Sequence, residues 1–175
     1  MQSCGPNVAG TITAHHLFLI IDDVVNDPFN FCKPVAKLPR DRLALINAAA
    51  SGSPKFFLGT DSAPNPVSAK RGGADGKGKT AAGVYTQLSA TQLVLEAFAT
   101  AMSKGILTKQ NVSVETLEGF LGLHGRKFYG EPLSKERIVF TQRRETIASS
   151  LKHHSGDPEI VPFKRGETVL SLDWR

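Results

Sequence analysis

The chain has 175 residues and a mass of 18.8 kDa, with 41% hydrophobic and 21% charged residues. That is the make-up of one ordinary globular domain and excludes wholesale disorder, a collagen repeat or a coiled coil. Its 21 Lys and Arg against 16 Asp and Glu leave a net charge of +5, but the excess is scattered rather than gathered into a basic run with interleaved aromatics, which argues against a nucleic-acid partner.

No apolar run approaches the ~18 residues that a membrane helix needs, and the N-terminal segment lacks the basic-then-apolar pattern of a signal peptide. A complete (β/α)8 barrel usually takes roughly 250 residues, so this chain is too short to be one alone. In chain order, residues 8–17 are rich in β-branched side chains and read as a strand ending near the pair His15-His16. Residues 22–28 are polar and turn-like, and 31–36 read as a short extended piece broken by Pro34. Residues 40–50 carry helix formers and stop at Ser51-Gly52. Residues 55–61 read as a buried strand with an acid at its C-terminal end.

Residues 62–79 hold prolines and glycines and form a long loop of the length that is usually functional. Residues 89–102 are the best helix, with Ser89 as N-cap, and 114–120 a shorter one. The tail, 137–175, is mixed, with strand-like stretches at 138–140 and 169–172. The alternation of strand and helix predicts an α/β fold with parallel strands. Two cysteines, Cys4 and Cys32, without a C-x-x-C pattern, fit a reduced, intracellular setting.

Three constellations could carry chemistry. Residues 73–80 satisfy G-x-x-x-x-G-K-[ST], whose backbone amides and lysine cradle phosphates in nucleotide binders. The context is wrong, because no strand ends at Gly73 and no helix starts at Lys79-Thr80. A flexible basic loop is the better reading. The His15-His16 pair offers metal-type donors, but neighbours on a strand face opposite ways, so only one can look into a given site. Asp61 sits where α/β enzymes place catalytic groups, at the C-terminal end of a parallel strand. It could equally cap the turn that follows.

Taken together, Thr11-Ile12-Thr13-Ala14-His15-His16-Leu17, Cys32-Lys33-Pro34-Val35-Ala36-Lys37 and Phe56-Phe57-Leu58-Gly59-Thr60-Asp61-Ser62-Ala63-Pro64 resemble, in order and spacing, the monofunctional dihydroorotases. Residues 125–130 and 161–167 resemble that family's C-terminal end. The resemblance spans nearly the whole chain but only the C-terminal half of the family's.

The family is a zinc-dependent cyclic amidohydrolase with a (β/α)8 fold, so the resemblance implies that this chain is about the last three strand–helix units of a barrel. Within it, 62–80 would be a long active-site loop and 137–175 the C-terminal tail. The implied reaction is reversible hydrolysis of L-dihydroorotate to N-carbamoyl-L-aspartate, in the cytoplasm, in pyrimidine biosynthesis.

The same resemblance makes His16 a zinc ligand and Asp61 both a zinc ligand and the general base. It places Lys33 and Ala82 at backbone contacts to the substrate, and Asn65 at the position that holds the substrate carboxylate. The family has histidine at the positions of Asn65 and Phe29, and asparagine donates a hydrogen bond without the charge. The family's first-strand H-x-H pair, substrate arginine, carboxylated lysine and fifth-strand histidine have no counterpart. Two remaining ligands fall short of the three or four that a zinc takes. The resemblance therefore implies a chain inactive by itself, needing its small-molecule substrate and either a second copy or the missing N-terminal half. The alternative is a non-catalytic remnant that serves as an interaction fragment.

Overall fold

The computed structural model describes residues 3–73, 75–152, 154 and 158–175. Strand β1 (Gly10–Ile12) pairs in parallel with β2 (Phe56–Leu58), Thr11 opposite Phe57. Between them lie α1 (Ile21–Asn26) and α2 (Pro39–Ala49). Each helix begins the same way. The third-position carboxylate, Asp23 or Asp41, accepts the N–H of the residue before the helix, Ile20 at 2.8 Å or Leu38 at 3.0 Å. This satisfies a donor the helix itself cannot. Proline at the first position of α2 suits a site whose N–H would go unused.

After β2 come the single turn α3 (Val67–Lys70), the long α4 (Ala90–Ser103), and α5 (Val114–Glu118). A π-helical turn at Gly119–Leu123 runs α5 into α6 (His124–Tyr129). Ser113 caps α5, its hydroxyl accepting the Thr116 N–H at 3.2 Å. The C-terminal region is a β-ribbon. β3 (Ile138–Thr146) pairs antiparallel with β6 (Thr168–Trp174), and the two-residue β4 (Leu151–Lys152) and β5 (Glu159–Ile160) pair with each other.

The core gathers around α4, whose Leu93, Val94 and Phe98 are wholly buried. Against them pack Ile12, Leu17 and Leu19 from the N-terminal segment, Ile46 and Ala49 from α2, Phe120, and Val169 from β6. Lys55 fastens the N-terminal segment across this core edge. Its ammonium donates to the carbonyls of Cys4 (3.0 Å), Gly5 and Val8 (3.0 Å).

Several expectations need correction. The strand expected over 8–17 ends at Ile12, and His15–Leu17 form a 3-10 turn, so the strand rule of opposite faces does not govern the histidine pair. Residues 21–26 are helical rather than turn-like. The predicted loop 62–79 contains α3 and is stitched to the rest by bridges Ser62–Val84 and Pro66–Ile160. Parallel pairing holds for β1–β2, but the C-terminal ribbon is antiparallel. The P-loop match fails structurally: α3, not a strand, precedes Gly73, and no helix begins at Lys79-Thr80. Ala74, inside that motif, lies outside the described residues. The fold is mixed α/β, with no closed barrel among the described residues.

Candidate functional site

The C-terminal ends of β1 and β2 open onto a cavity of about 680 Å3. Thr11, Thr13 and His16 line one wall, Lys33 to Lys37 the second, and Gly59 and Asp61 the third. β1 and β2 come together tightly here: a side chain at Gly59 would put its Cβ 2.6 Å from that of Thr11. Asp61 is exposed and holds φ at +43°, in the left-handed region that few non-glycine residues other than Asn and Asp adopt.

The histidine pair forms an ordered chain of hydrogen bonds. The Pro34 carbonyl can only accept, so Nε2 of His16 donates to it at 2.9 Å. Nδ1 of His16 then accepts from the Thr13 hydroxyl at 2.6 Å, and Thr13 in turn takes a long contact, 3.4 Å, from Nε2 of His15. Burial, reinforced by His16 beside it, lowers His15 to a pKa of about 3, so its ring is neutral. Nδ1 of His15 is buried without a partner among the described residues. Cys32 lies 3.6 Å from His16 and donates its thiol to Pro34 O at 3.3 Å. Burial pushes that thiol's pKa up, outweighing the other influences on it, which keeps it protonated.

The fit to zinc is incomplete on these observations. Of the two expected ligands, Asp61 has no hydrogen bond among the described residues, and its carboxylate is free to take a cation. His16 has both ring nitrogens engaged, and binding a metal means giving up Pro34 or Thr13. The compact donor group that the structure does bring together, within 4.8 Å, is His15, His16 and Cys32, and Asp61 is not in it. His16 and Asp61 alone do not make a zinc site.

Lys33, His16 and Asp61 therefore share one cavity, whereas Asn65 and Ala82 lie outside its lining and are joined to each other. The Asn65 amide donates to Ala82 O and to Ala63 O, both at 3.2 Å. This spends the NH2 group on backbone. Gly83 makes the junction fit: at φ +144° an added Cβ would lie 2.6 Å from Asn65 Nδ2 and 2.7 Å from Ala63 Cβ and O. Gly83→Ala is expected to cost about 1–3 kcal/mol through crowding, read as a lower urea midpoint. An unchanged midpoint would show that the junction relaxes freely.

No local signal in the sequence marks Lys70 as a site residue. It is 2% exposed, and its ammonium faces three backbone carbonyls.

No family model matches the chain. Among characterised proteins it is 42% identical over 172 residues to dihydroorotase of Saccharomyces cerevisiae, covering 95% of this chain and 43% of that protein. It is 41% identical to a probable dihydroorotase of Schizosaccharomyces pombe, over 97% of this chain and 45% of that one. Among solved structures, S. cerevisiae dihydroorotase in complex with 5-fluoroorotic acid superposes with a TM-score of 0.79 at 36% identity, over 98% of this chain and 45% of that one. The Campylobacter jejuni dihydroorotase gives 0.73 at 30% identity. The chain thus spans a little under half the length of these relatives. In sequence and in fold alike, it is a homologue of the dihydroorotases, matched along nearly all of its own length.

Proposed function

We propose that the chain serves dihydroorotase chemistry, the reversible hydrolysis of L-dihydroorotate to N-carbamoyl-L-aspartate in pyrimidine biosynthesis, in the cytoplasm. We take it to be the last three strand–helix units of a (β/α)8 barrel, with 62–80 as an active-site loop and 137–175 as a tail. The observation that carries the reading is Asp61. An exposed carboxylate in a strained backbone conformation stands at a strand's C-terminal end, facing a cavity shared with Lys33 and His16. Backbone outliers of this kind cluster at active sites.

In this reading, Asp61 accepts the proton of the attacking water as its oxygen bonds to the ring carbonyl carbon. The same carboxyl then hands the proton to the ring nitrogen as the C–N bond breaks. Backbone groups of Lys33 and Ala82 hold the substrate. Asn65 acts on it through Ala82, whose carbonyl it anchors. His16, if it is to ligate zinc, must exchange one of its present partners. Zinc, two ions by resemblance, belongs to the proposal only with ligands from beyond these residues. A second copy of the chain or an N-terminal half would supply them. No helix among the described residues is long and apolar enough to cross a membrane.

The test is complementation. The chain alone, with zinc added, is expected not to open dihydroorotate. Joined to the N-terminal half of the S. cerevisiae relative, it is expected to do so. A folded chimaera that stays inert would favour the remnant reading, in which the chain keeps the fold and has lost the reaction.

A further inference from the structure

We propose that Lys70 is a positioning residue whose buried ammonium ties the backbone at Phe31, beside Lys33, to the backbone at Ala81 and Gly83, on either side of Ala82. It thereby fixes the spacing between the two strips expected to hold the ligand. What the strips hold rests on the dihydroorotase reading. The clamp itself does not.

A lysine is almost never buried without a partner, and taking an ammonium out of water costs several kcal/mol even after relaxation. No carboxylate within ion-pair distance meets Lys70 among the described residues. Instead its three N–H groups match three acceptors: Phe31 O at 3.0 Å, Ala81 O at 2.9 Å and Gly83 O at 2.8 Å. These lie 39, 11 and 13 residues away in sequence, so one side chain cross-links segments that no helix or sheet joins.

The surrounding bonds tighten the same junction. Gly83 N–H donates to Phe31 O at 2.9 Å, Ala81 N–H to Ala69 O at 3.0 Å, and Asn65 to Ala82 O. All three carbonyls from 81 to 83 thus accept from internal donors, and the amides of 81 and 83 donate to internal carbonyls. The Ala82 N–H alone has no acceptor among the described residues. The clamp holds that strip so that its one free group is a donor.

An ammonium suits this place because its three donors diverge from one atom, whereas the planar guanidinium fork of arginine would aim them elsewhere. Burial holds the Lys70 pKa down to about 8, opposed by Cys32 and Asp27, the charged or titratable groups that face it. No such group on the 81–83 strip acts on it. Above that pH the neutral amine keeps only two N–H donors, and one carbonyl loses its partner. In the unfolded chain the same lysine stays protonated to near its ordinary value, 10.5. Between these limits the unfolded state binds more protons, so this group's contribution to stability rises with pH even as the three-point clamp loosens.

The experiment follows the carbonyl 13C shifts of Phe31, Ala81 and Gly83 in the labelled 175-residue chain from pH 6.5 to 9.5. All three are expected to move together with one midpoint near 8 in the parent, and with one shared but lower midpoint in Cys32→Ser, which loses the raising influence of the thiol. The common transition is expected to vanish in Lys70→Met. Independent or flat titrations in the parent would overturn the clamp, as would a common midpoint that survives in Lys70→Met. The parent titration is decisive even if that variant fails to fold. In parallel, 5-fluoroorotate serves as the binding probe for the chain joined to the N-terminal half of the S. cerevisiae relative. Where the joined chimaera binds it, Lys70→Met is expected to weaken it at least tenfold and to abolish the pH dependence of binding near 8. Unchanged affinity would deny Lys70 its positioning role. A joined chimaera that does not bind the probe counts against the dihydroorotase reading, and the carbonyl titration then judges the clamp alone.

Discussion

Replacing Phe98 by alanine is expected to lower the unfolding free energy by about 3–5 kcal/mol, the range for large-to-small changes at filled core sites. Phe98 is fully buried on α4 and meets the equally buried Phe120 ring with centroids 6.2 Å apart. The change removes an aromatic pair as well as apolar area. Relief by collapse is limited, because Leu93, Val94 and Ala97 of the same helix are themselves almost wholly buried. Folded domains typically hold only ~5–15 kcal/mol in reserve, so the variant should unfold at a markedly lower urea concentration or fail to accumulate. Val25→Ala, at a site 77% exposed, is the matched control and should barely shift the midpoint. A Phe98→Ala chain within about 1 kcal/mol of the parent would mean that the helix does not organise the core as described.

The second large effect falls on chemistry. In the joined chimaera, Asp61→Asn is expected to slow ring opening by about 10²–10⁴-fold, the usual worth of a positioned proton carrier. The melting temperature should stay nearly unchanged. Asparagine is the informative substitute because it keeps the shape and tolerates the left-handed backbone that Asp61 adopts, so backbone strain is not altered along with the charge. Alanine would confound the two. Turnover within a few-fold of the parent would remove Asp61 from the mechanism.

Some of this architecture could be read before any coordinates. The helix over 39–49 and the strand at 56–58 are bounded by proline, glycine and the acid that ends the run, all local signals. The helix over 90–103 has a buried face long enough for periodicity to show. The rule that parallel strands present chemistry at their C-terminal ends singles out Asp61 but leaves a turn cap equally open, and only the structure shows it lining the cavity.

What was hidden depends on distant partners. Ala14 to Leu17 looks like continuing strand, but His15 and His16 turn inward to Thr13 and Pro34, and the second of those partners lies 18 residues on. The helix expected to stop near Phe120 runs on to Tyr129. The glycines at 119 and 122 suggest a break, yet the π turn carries the axis through. A Cβ at Gly119 would lie only 2.5 Å from the His124 ring, so the absent side chain is what makes room there. Asn65 and Ala82 could be named from the resemblance, but their bond to each other could not. Nothing local marks Lys70, because its acceptors are main-chain atoms, which every residue carries.

The scattered surplus of +5 read from composition also overstates what solvent meets. One of those positive charges is the Lys70 ammonium, turned wholly inward onto carbonyl oxygens, where a resin, a polyanion or a salt ion cannot reach it. Above about pH 8, where burial leaves Lys70 largely neutral, the folded chain should therefore elute from a cation exchanger as though it carried one positive charge fewer than its sequence states. On unfolding, that charge returns to the surface, so the unfolded chain should be retained longer.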